Sequence, residues 1–154
     1  MSVAFVFPGQ GSQAVGMLSS LVGRPEVDAL VARADAALGE PLLSRVIAEG
    51  PAEELALTTW TQPAMLLAGM ACLAAWRAEG GPEPAFVAGH SLGEYTALAS
   101  LANIFDLEAV IDIVYSRGSA MHSLVPRDEQ GRSNYGLGAL RPNMIGVAAE
   151  DVND

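Results

Sequence analysis

Hydrophobic residues along this chain form short continuous runs that alternate with longer stretches of helical spacing. The run Val3–Phe7 ends at Pro8-Gly9 and predicts a strand that is buried on both faces. A second apolar run, Ala85–Ala88, predicts another strand. Because strands and helices alternate, we expect an α/β fold with a mostly parallel sheet and flanking helices.

Apolar residues at helical spacing predict the helices that lie between and after these strands. Thr61–Glu79 is apolar nearly all round, so we expect this helix to be buried. Asp106 stands where an N-cap would start the last helix. The predicted helices are Pro25–Leu38, with Gly39 as its stop, a short one at Pro51–Leu55, Thr61–Glu79, Leu92–Leu101 and Asp106–Leu124.

The last part of the chain is less regular. Pro126–Tyr135 is polar and predicts a loop, Gly136–Leu140 predicts a third strand, and Glu150–Val152 predicts the start of a helix. Three strands are few for a sheet with helices on both faces, so the predicted sheet is incomplete. We therefore divide the chain into a partial α/β core at 1–124 and a second, less regular segment at 125–154 that starts with the loop.

Composition limits the functions that fit. The chain has 154 residues, 51% of them hydrophobic, which is enough for one domain with a core. Its net charge of −10, with no lysine and eight arginines, argues against nucleic acid as a partner. The start of the chain has no signal-peptide pattern, and the longest apolar run, Ala64–Trp76, is too short to span a bilayer. We expect a cytoplasmic protein without a membrane partner, with Cys72 as a buried, inert thiol.

The strongest chemical pattern is G-x-S-x-G at 89–93, between the second strand and a helix. Gly89 and Gly93 lack the Cβ atoms that would clash in a sharp strand-to-helix turn, and Ser91 is then exposed at its tip. The amides at the start of the next helix would stabilise negative charge that develops above the hydroxyl. The pattern predicts a nucleophile elbow for acyl transfer; the alternative is a turn that only joins a strand to a helix.

A second pattern, F-P-G-Q-G-S-Q at 7–13, follows the first strand. Gly9 and Gly11 let the backbone approach a ligand closely. Loops at the carboxyl ends of parallel strands gather at one site, so we expect this loop beside the elbow, with the amides of Gln10 and Leu92 as an oxyanion hole. The alternative is a structural or phosphate-binding turn, but the loop lacks the G-x-G-x-x-G and P-loop patterns.

Four motifs together resemble one known family, the malonyl-CoA:acyl carrier protein transacylases, in order and spacing. They are Phe7–Gln13, Thr61–Ala64, Gly89–Tyr95 and Arg117-Gly118. From about Phe105 the chain instead resembles the malonyl/palmitoyl transferase domain of type I fatty acid synthases, so it is either an intermediate member or a composite. The resemblance implies an α/β-hydrolase-like sheet and a ferredoxin-like subdomain that begins within 125–154.

The resemblance also implies a reaction. Ser91 would take a malonyl group from malonyl-CoA and pass it to the 4′-phosphopantetheine thiol of an acyl carrier protein, in fatty acid or polyketide synthesis. CoA thioester and carrier protein are then substrates and partners, and no cofactor or metal is implied.

Two further residues match substrate-binding positions of the family. Arg117 matches the carboxylate-binding arginine, and a guanidinium can hold a malonyl carboxylate by two parallel hydrogen bonds. The alternative for Arg117 is a solvated arginine, or one paired with Asp112. Gln62 matches the pocket wall; as a residue in the first turn of its helix it could equally cap its own backbone.

Neither histidine is predicted to be the general base that Ser91 needs. His90 should point away from Ser91 as a packed, hydrogen-bonded ring, and His122 lies about 140° round the helix from Arg117 and should face the surface or a loop. The resemblance places the family's base beyond residue 154, so the chain resembles the N-terminal half of a transacylase. Three functions stay open: a malonyl-specific acyltransferase, a non-catalytic fragment, and a thioesterase or esterase with the same elbow.

Overall fold

The computed structural model describes residues 2–39, 41–101, 104–129 and 133–135. The chain divides into two units, Met1–Leu124 and Val125–Asp154. The helices and strands of the described residues all lie in the first unit. They are β1 (Ala4–Phe7), α1 (Pro25–Leu38), α2 (Leu42–Glu49), α3 (Ala52–Leu55), α4 (Thr58–Ala78), β2 (Phe86–Gly89), α5 (Leu92–Ser100) and α6 (Leu107–Ser123).

The described residues of the second unit, 125–129 and 133–135, form no helix or strand, as expected for a loop. The strand predicted at Gly136–Leu140 and the helix start predicted at Glu150–Val152 lie outside the described residues.

Most predicted elements are present with small shifts of their ends. Helix α1 has the predicted bounds and ends at Gly39, which adopts the left-handed conformation with φ 83° and donates its N–H to the carbonyl of Ala36. Asp106 stands at the N-cap position of α6, although its side chain makes no capping hydrogen bond. Helix α2 was not predicted; it buries Leu43, Val46 and Ile47.

Strands β1 and β2 pair in parallel, with Phe7 opposite Gly89 at their carboxyl ends. The loop after β1 and the elbow after β2 therefore start side by side. One face of the pair packs against the helices: Phe5 makes an edge contact with Trp76 of α4. On the other face Val6 and Phe86 are 74% and 72% exposed. Burial on both faces was therefore a wrong prediction for β1, because in the part of the chain that the structure describes the helices cover a single face of the pair.

Helix α4 is the centre of the core. Its residues Ala64–Leu67 are buried, as predicted, and they belong to one cluster with Val27 of α1 and Val110 of α6. Cys72 is an exception: the prediction of a buried thiol is wrong, because this residue is exposed and lines a cavity of about 420 Å³ between α4 and β1. No helix in the described part of the chain is long and apolar enough to cross a membrane.

Candidate active site

The turn between β2 and α5 has the geometry of a nucleophile elbow. Ser91 is exposed and has φ 52°, which makes it the one non-glycine residue with a positive φ among those described. The turn closes through the N–H of Gly93, which donates to the carbonyl of His90 at 2.9 Å. The N–H of Glu94 donates to the carbonyl of Ser91 at 3.1 Å. A strained backbone at an exposed serine is typical of a nucleophile and is unnecessary in a simple connecting turn.

Both glycines of the motif stand where a side chain would not fit. A Cβ atom on Gly89 would overlap the backbone of Gly93 and Glu94. A Cβ atom on Gly93 would overlap the carbonyl of Phe7, at the end of the neighbouring strand. The two glycines therefore let α5 start directly against the ends of both strands.

The loop after β1 lies beside the elbow, as expected. Gly9 is buried, and a Cβ atom there would lie 2.8 Å from the carbonyl oxygen of His90. Gly11 has φ 108°, and its N–H donates to Oε1 of Gln13 at 2.8 Å. The backbone amides of Gln10 and Leu92 donate to no protein acceptor among the described residues. Both amides therefore remain available, while their role as an oxyanion hole stays a prediction.

Arg117 reaches the elbow from α6. Its Nη2 donates to Oγ of Ser91 at 3.4 Å, and its Nη1 donates to Oε1 of Gln62 at 2.7 Å. Its Cζ lies 5.6 Å from the ring centroid of Tyr95, within the range of a cation–π contact. Asp112 is exposed and forms no ion pair with Arg117. Neither alternative for Arg117 is therefore observed, since the guanidinium is directed at the serine.

The charge of Arg117 is not neutralised within the described residues. Four other arginines each pair with a glutamate: Arg24, Arg33, Arg45 and Arg77. The groups that Arg117 contacts are all neutral, and its two hydrogen bonds use two of the five N–H groups of a guanidinium. A cation with free donors beside a serine hydroxyl is suited to bind a carboxylate.

Gln62 joins the two sides of the site. Its side chain is fully buried, and its Nε2 donates to Oε1 of Gln10 at 3.5 Å and to Sδ of Met121 at 3.4 Å. Helix α4 starts at Thr58 and not at Thr61, so Gln62 lies beyond the first helical positions. The alternative in which Gln62 caps its own backbone is wrong, because its amide is used by side chains of other segments.

Close packing of α6 on α4 allows Arg117 to reach Gln62. Gly118 is buried, and a Cβ atom there would lie 2.5 Å from the carbonyl oxygen of Thr58. The two helices therefore meet at the first turn of α4, beside the buried amide of Gln62. In the same part of α4, Pro63 has no N–H and so donates nothing to the carbonyl of Thr59 one turn earlier.

The two histidines lie in different segments, one in the elbow and one in the last turn of α6. Nδ1 of His90 lies 3.0 Å from the position that a Cβ atom on Gly9 would take, so the ring lies against the loop after β1. His90 is exposed, however, so the prediction of a packed ring is wrong. His122 is half-buried in the last turn of α6. The group that hydrogen-bonds to Oγ of Ser91 in the described residues is the guanidinium of Arg117, which cannot accept a proton.

Three residues of the site were not predicted: Tyr95, Met121 and Gly118 in its packing role. Tyr95 follows Ser91 by four positions and Met121 follows Arg117 by four, so each lies one helical turn after a predicted site residue. That spacing was the available signal. It identifies a neighbour on the same face but not the contact that the neighbour makes.

Comparison with known proteins finds similar sequences among transacylases and fatty acid synthase subunits. The malonyl CoA-acyl carrier protein transacylase of Salmonella typhimurium is 47% identical over 131 residues, which are 84% of this chain and 42% of that protein. The fatty acid synthase subunit beta of Saccharomyces cerevisiae is 45% identical over 95 residues, 61% of this chain and 5% of that subunit. The chain thus spans about two fifths of the length of the transacylases that it matches.

Solved structures that resemble this chain are also malonyltransferases. The acyl-carrier-protein S-malonyltransferase of Burkholderia pseudomallei 1710b superimposes with a TM-score of 0.76 at 49% identity, over 82% of this chain and 40% of the other. A type II PKS acyl carrier protein in complex with its malonyl-transacylase gives 0.76 at 44% identity, over 82% and 41%. The family model of the acyl transferase domain matches residues 4–151. The chain therefore belongs to the acyl transferase domain family.

Proposed function

We propose that this chain contains the nucleophile and the acyl-binding side of a malonyl-CoA:acyl carrier protein transacylase. The observation that supports this most directly is the contact between Nη2 of Arg117 and Oγ of Ser91 at 3.4 Å. It places an unneutralised cation beside an acyl nucleophile, where the far carboxylate of a short dicarboxylic acyl group on Ser91 would be within reach of the guanidinium. The names of the relatives from Salmonella typhimurium and Burkholderia pseudomallei agree with this chemistry.

In the first half of the proposed reaction, Oγ of Ser91 attacks the thioester carbonyl of malonyl-CoA and loses its proton to a general base. The amides of Gln10 and Leu92 stabilise the oxyanion, the C–S bond breaks, and the CoA thiolate leaves with a proton. Arg117 holds the malonyl carboxylate during this exchange. The product is a malonyl ester on Ser91.

In the second half, the thiol of a 4′-phosphopantetheine group attacks this ester, and Ser91 recovers its proton as the malonyl thioester of the carrier protein forms. A transacylase relative in complex with an acyl carrier protein supports this choice of acceptor. The reaction serves fatty acid or polyketide synthesis and needs no bound metal or cofactor, since both thiol carriers are substrates.

Specificity in this proposal comes from Arg117. A malonyl carboxylate takes two of its free N–H groups, whereas an acetyl group offers no acceptor there. Binding of an acetyl group would leave the cation desolvated and without a partner, which penalises the wrong substrate. We expect the general base to come from outside the described residues, because the group that hydrogen-bonds to Oγ of Ser91 within them is a guanidinium, which cannot take a proton.

Three finer predictions belong to the same proposal. The sheet has an α/β-hydrolase-like order, residues 125–154 begin a ferredoxin-like subdomain, and the protein acts in the cytoplasm.

The test is intact-mass detection of an acyl adduct after incubation with malonyl-CoA. We expect a gain of one malonyl group in the protein, none in the Ser91→Ala variant, and transfer of the group when holo acyl carrier protein is added. Release of free malonate faster than transfer would instead identify a thioesterase. Absence of any adduct would favour a non-catalytic fragment.

A further inference from the structure

The aromatic ring of Tyr95 is a neighbour of Arg117 with no role in the reaction as proposed. Tyr95 lies on α5, one helical turn after the nucleophile, and is half-buried. The Cζ atom of Arg117 lies 5.6 Å from its ring centroid. A cation over an aromatic face within about 6 Å is attracted by the negative potential of the ring.

The ring and the hydrogen bonds hold different parts of the same guanidinium. The N–H groups of a guanidinium lie in its plane, so its hydrogen bonds are formed in that plane. An aromatic ring instead attracts the cation to the face of the ring. Gln62 holds Nη1 at 2.7 Å, and the ring of Tyr95, 5.6 Å from Cζ, adds a second restraint on the same guanidinium. The remaining N–H groups stay free for a carboxylate while the head of the side chain is fixed.

Such a restraint matters because arginine has a long side chain. A free arginine side chain populates many rotamers and loses their entropy when it is fixed. A guanidinium that is already oriented loses less when a ligand binds, so the same two hydrogen bonds give a higher affinity. A ligand without a carboxylate gains nothing from this orientation.

We propose that Tyr95 is a positioning residue that orients Arg117 and so increases the preference of the site for acyl groups with a carboxylate. This inference rests on the proposed function. It adds that the elbow supplies the nucleophile and that α5, directly after it, supplies the aromatic support for the cation that selects the acyl group.

The test measures the binding of malonyl-CoA and acetyl-CoA by isothermal titration calorimetry, in protein with the Ser91→Ala substitution so that no acyl transfer occurs. The preference is the ratio of the two dissociation constants. Tyr95→Phe should keep it, because the ring remains. Tyr95→Leu should lower it about two- to five-fold through weaker malonyl-CoA binding, which is the size of a partly exposed cation–π contact.

A series of phenylalanines at position 95 with one, two and three ring fluorines separates positioning from simple packing. Fluorine withdraws electrons from the ring face at nearly constant shape, so the preference should fall stepwise along the series. Tyr115→Leu is the matched control: Tyr115 lies on α6 two positions before Arg117, and its ring packs on Trp60 at 5.5 Å. Its loss should leave the preference unchanged.

The outcomes are distinct. A flat fluorine series, or an unchanged preference in Tyr95→Leu, would overturn the positioning role of Tyr95 even if malonyl-CoA is preferred by the parent protein. Equal binding of both thioesters by the parent would instead overturn the proposed function, and the inference with it.

Discussion

At the scale of single residues, the backbone of Ser91 is the unusual feature of this chain. A φ of 52° is uncommon for a residue with a Cβ atom, and its ψ of −106° lies outside the left-handed helical region. Such conformations cost on the order of 1–3 kcal/mol each and persist where the surrounding structure enforces them. Here the turn is held by the N–H groups of Gly93 and Glu94, which donate to the carbonyls of His90 and Ser91 at the start of α5.

This strain predicts that glycine at position 91 gives a more stable protein than alanine, which is the reverse of the usual order within a helix. Both Ser91→Gly and Ser91→Ala remove the hydroxyl, but glycine adopts a positive φ freely and is also the better N-cap, so Ser91→Gly should have the higher free energy of unfolding by about 1 kcal/mol or more. Chemical denaturation measures the difference. At Ser116, exposed within α6, the order should reverse, with alanine more stable by about 0.5–1 kcal/mol. Equal stability of the two Ser91 variants would contradict the strain.

At the scale of elements, the site depends on how closely α6 packs against α4. Gly118 has no room for a Cβ atom because the carbonyl oxygen of Thr58 would be 2.5 Å away. Next to it, Arg117 and Gln62 form their hydrogen bond. The separation of the two helices therefore fixes both the packing and the position of the guanidinium.

Gly118→Ala should therefore destabilise the protein. Within a helix alanine is normally favoured over glycine by about 0.5–1 kcal/mol. Overpacking against α4 costs typically about 1–3 kcal/mol, so a net loss is expected, together with weaker malonyl-CoA binding as Arg117 moves from Gln62. Denaturant melts and titration calorimetry measure the two effects. Ser116→Ala on the exposed side of α6 is the control, and a more stable Gly118→Ala protein would show that the helices are not in such close contact.

The sequence allowed the prediction of the elements that have clear stop signals. Helix α1 ends at Gly39 as predicted, and β2 runs into the Gly89 turn. Helix α4 begins at Thr58, three residues before the predicted start at Thr61, and Pro63 lies within it. Helix α2 was missed because it is short and Pro41, its N-cap residue, makes no side-chain cap.

The candidate site was predictable only as far as local motifs reach. The elbow, the loop at Gly9 and Arg117 came from spacing and resemblance. The contacts of Arg117 with Gln62 and with Tyr95 join residues 55 and 22 positions apart, so they follow from tertiary packing. No local pattern specifies the angle and distance at which α6 crosses α4.

At the scale of the whole molecule, ion pairs connect helices that are distant in sequence. Arg33 of α1 binds Glu108 of α6 through two hydrogen bonds, at 2.6 and 2.8 Å. The hydrogen bond from Arg33 lowers the pKa of Glu108 from 4.5 to about 2. Both side chains are about half-exposed, so solvent screening limits the pair to about 0.2–1 kcal/mol.

This pair predicts a pH-dependent contribution to stability. Because the pKa of Glu108 is lower in the folded state, the contribution is present above pH 4.5 and is lost as the pH falls toward 2. Glu108→Gln should therefore be less stable than the parent at pH 7 and equal to it near pH 2. Glu53→Gln is the matched control, since Glu53 also lies in a first helical turn but forms no ion pair among the described residues. A difference in stability between Glu108→Gln and the parent that persists near pH 2 would contradict a stabilising role of the Arg33–Glu108 ion pair.

The central claim is that Arg117 makes the elbow selective for a carboxylated acyl group. The most direct measurement is the affinity of Ser91→Ala protein for malonyl-CoA and for acetyl-CoA, with and without Arg117→Ala, and with Arg24→Ala as a distant control. Hydrogen bonds to a charged group contribute about 1.5–3 kcal/mol, so malonyl-CoA should bind roughly ten- to a hundred-fold more tightly. Arg117→Ala should abolish this preference, and Arg24→Ala should keep it. Equal affinities in the presence of Arg117, or a preference that survives its removal, would contradict the account.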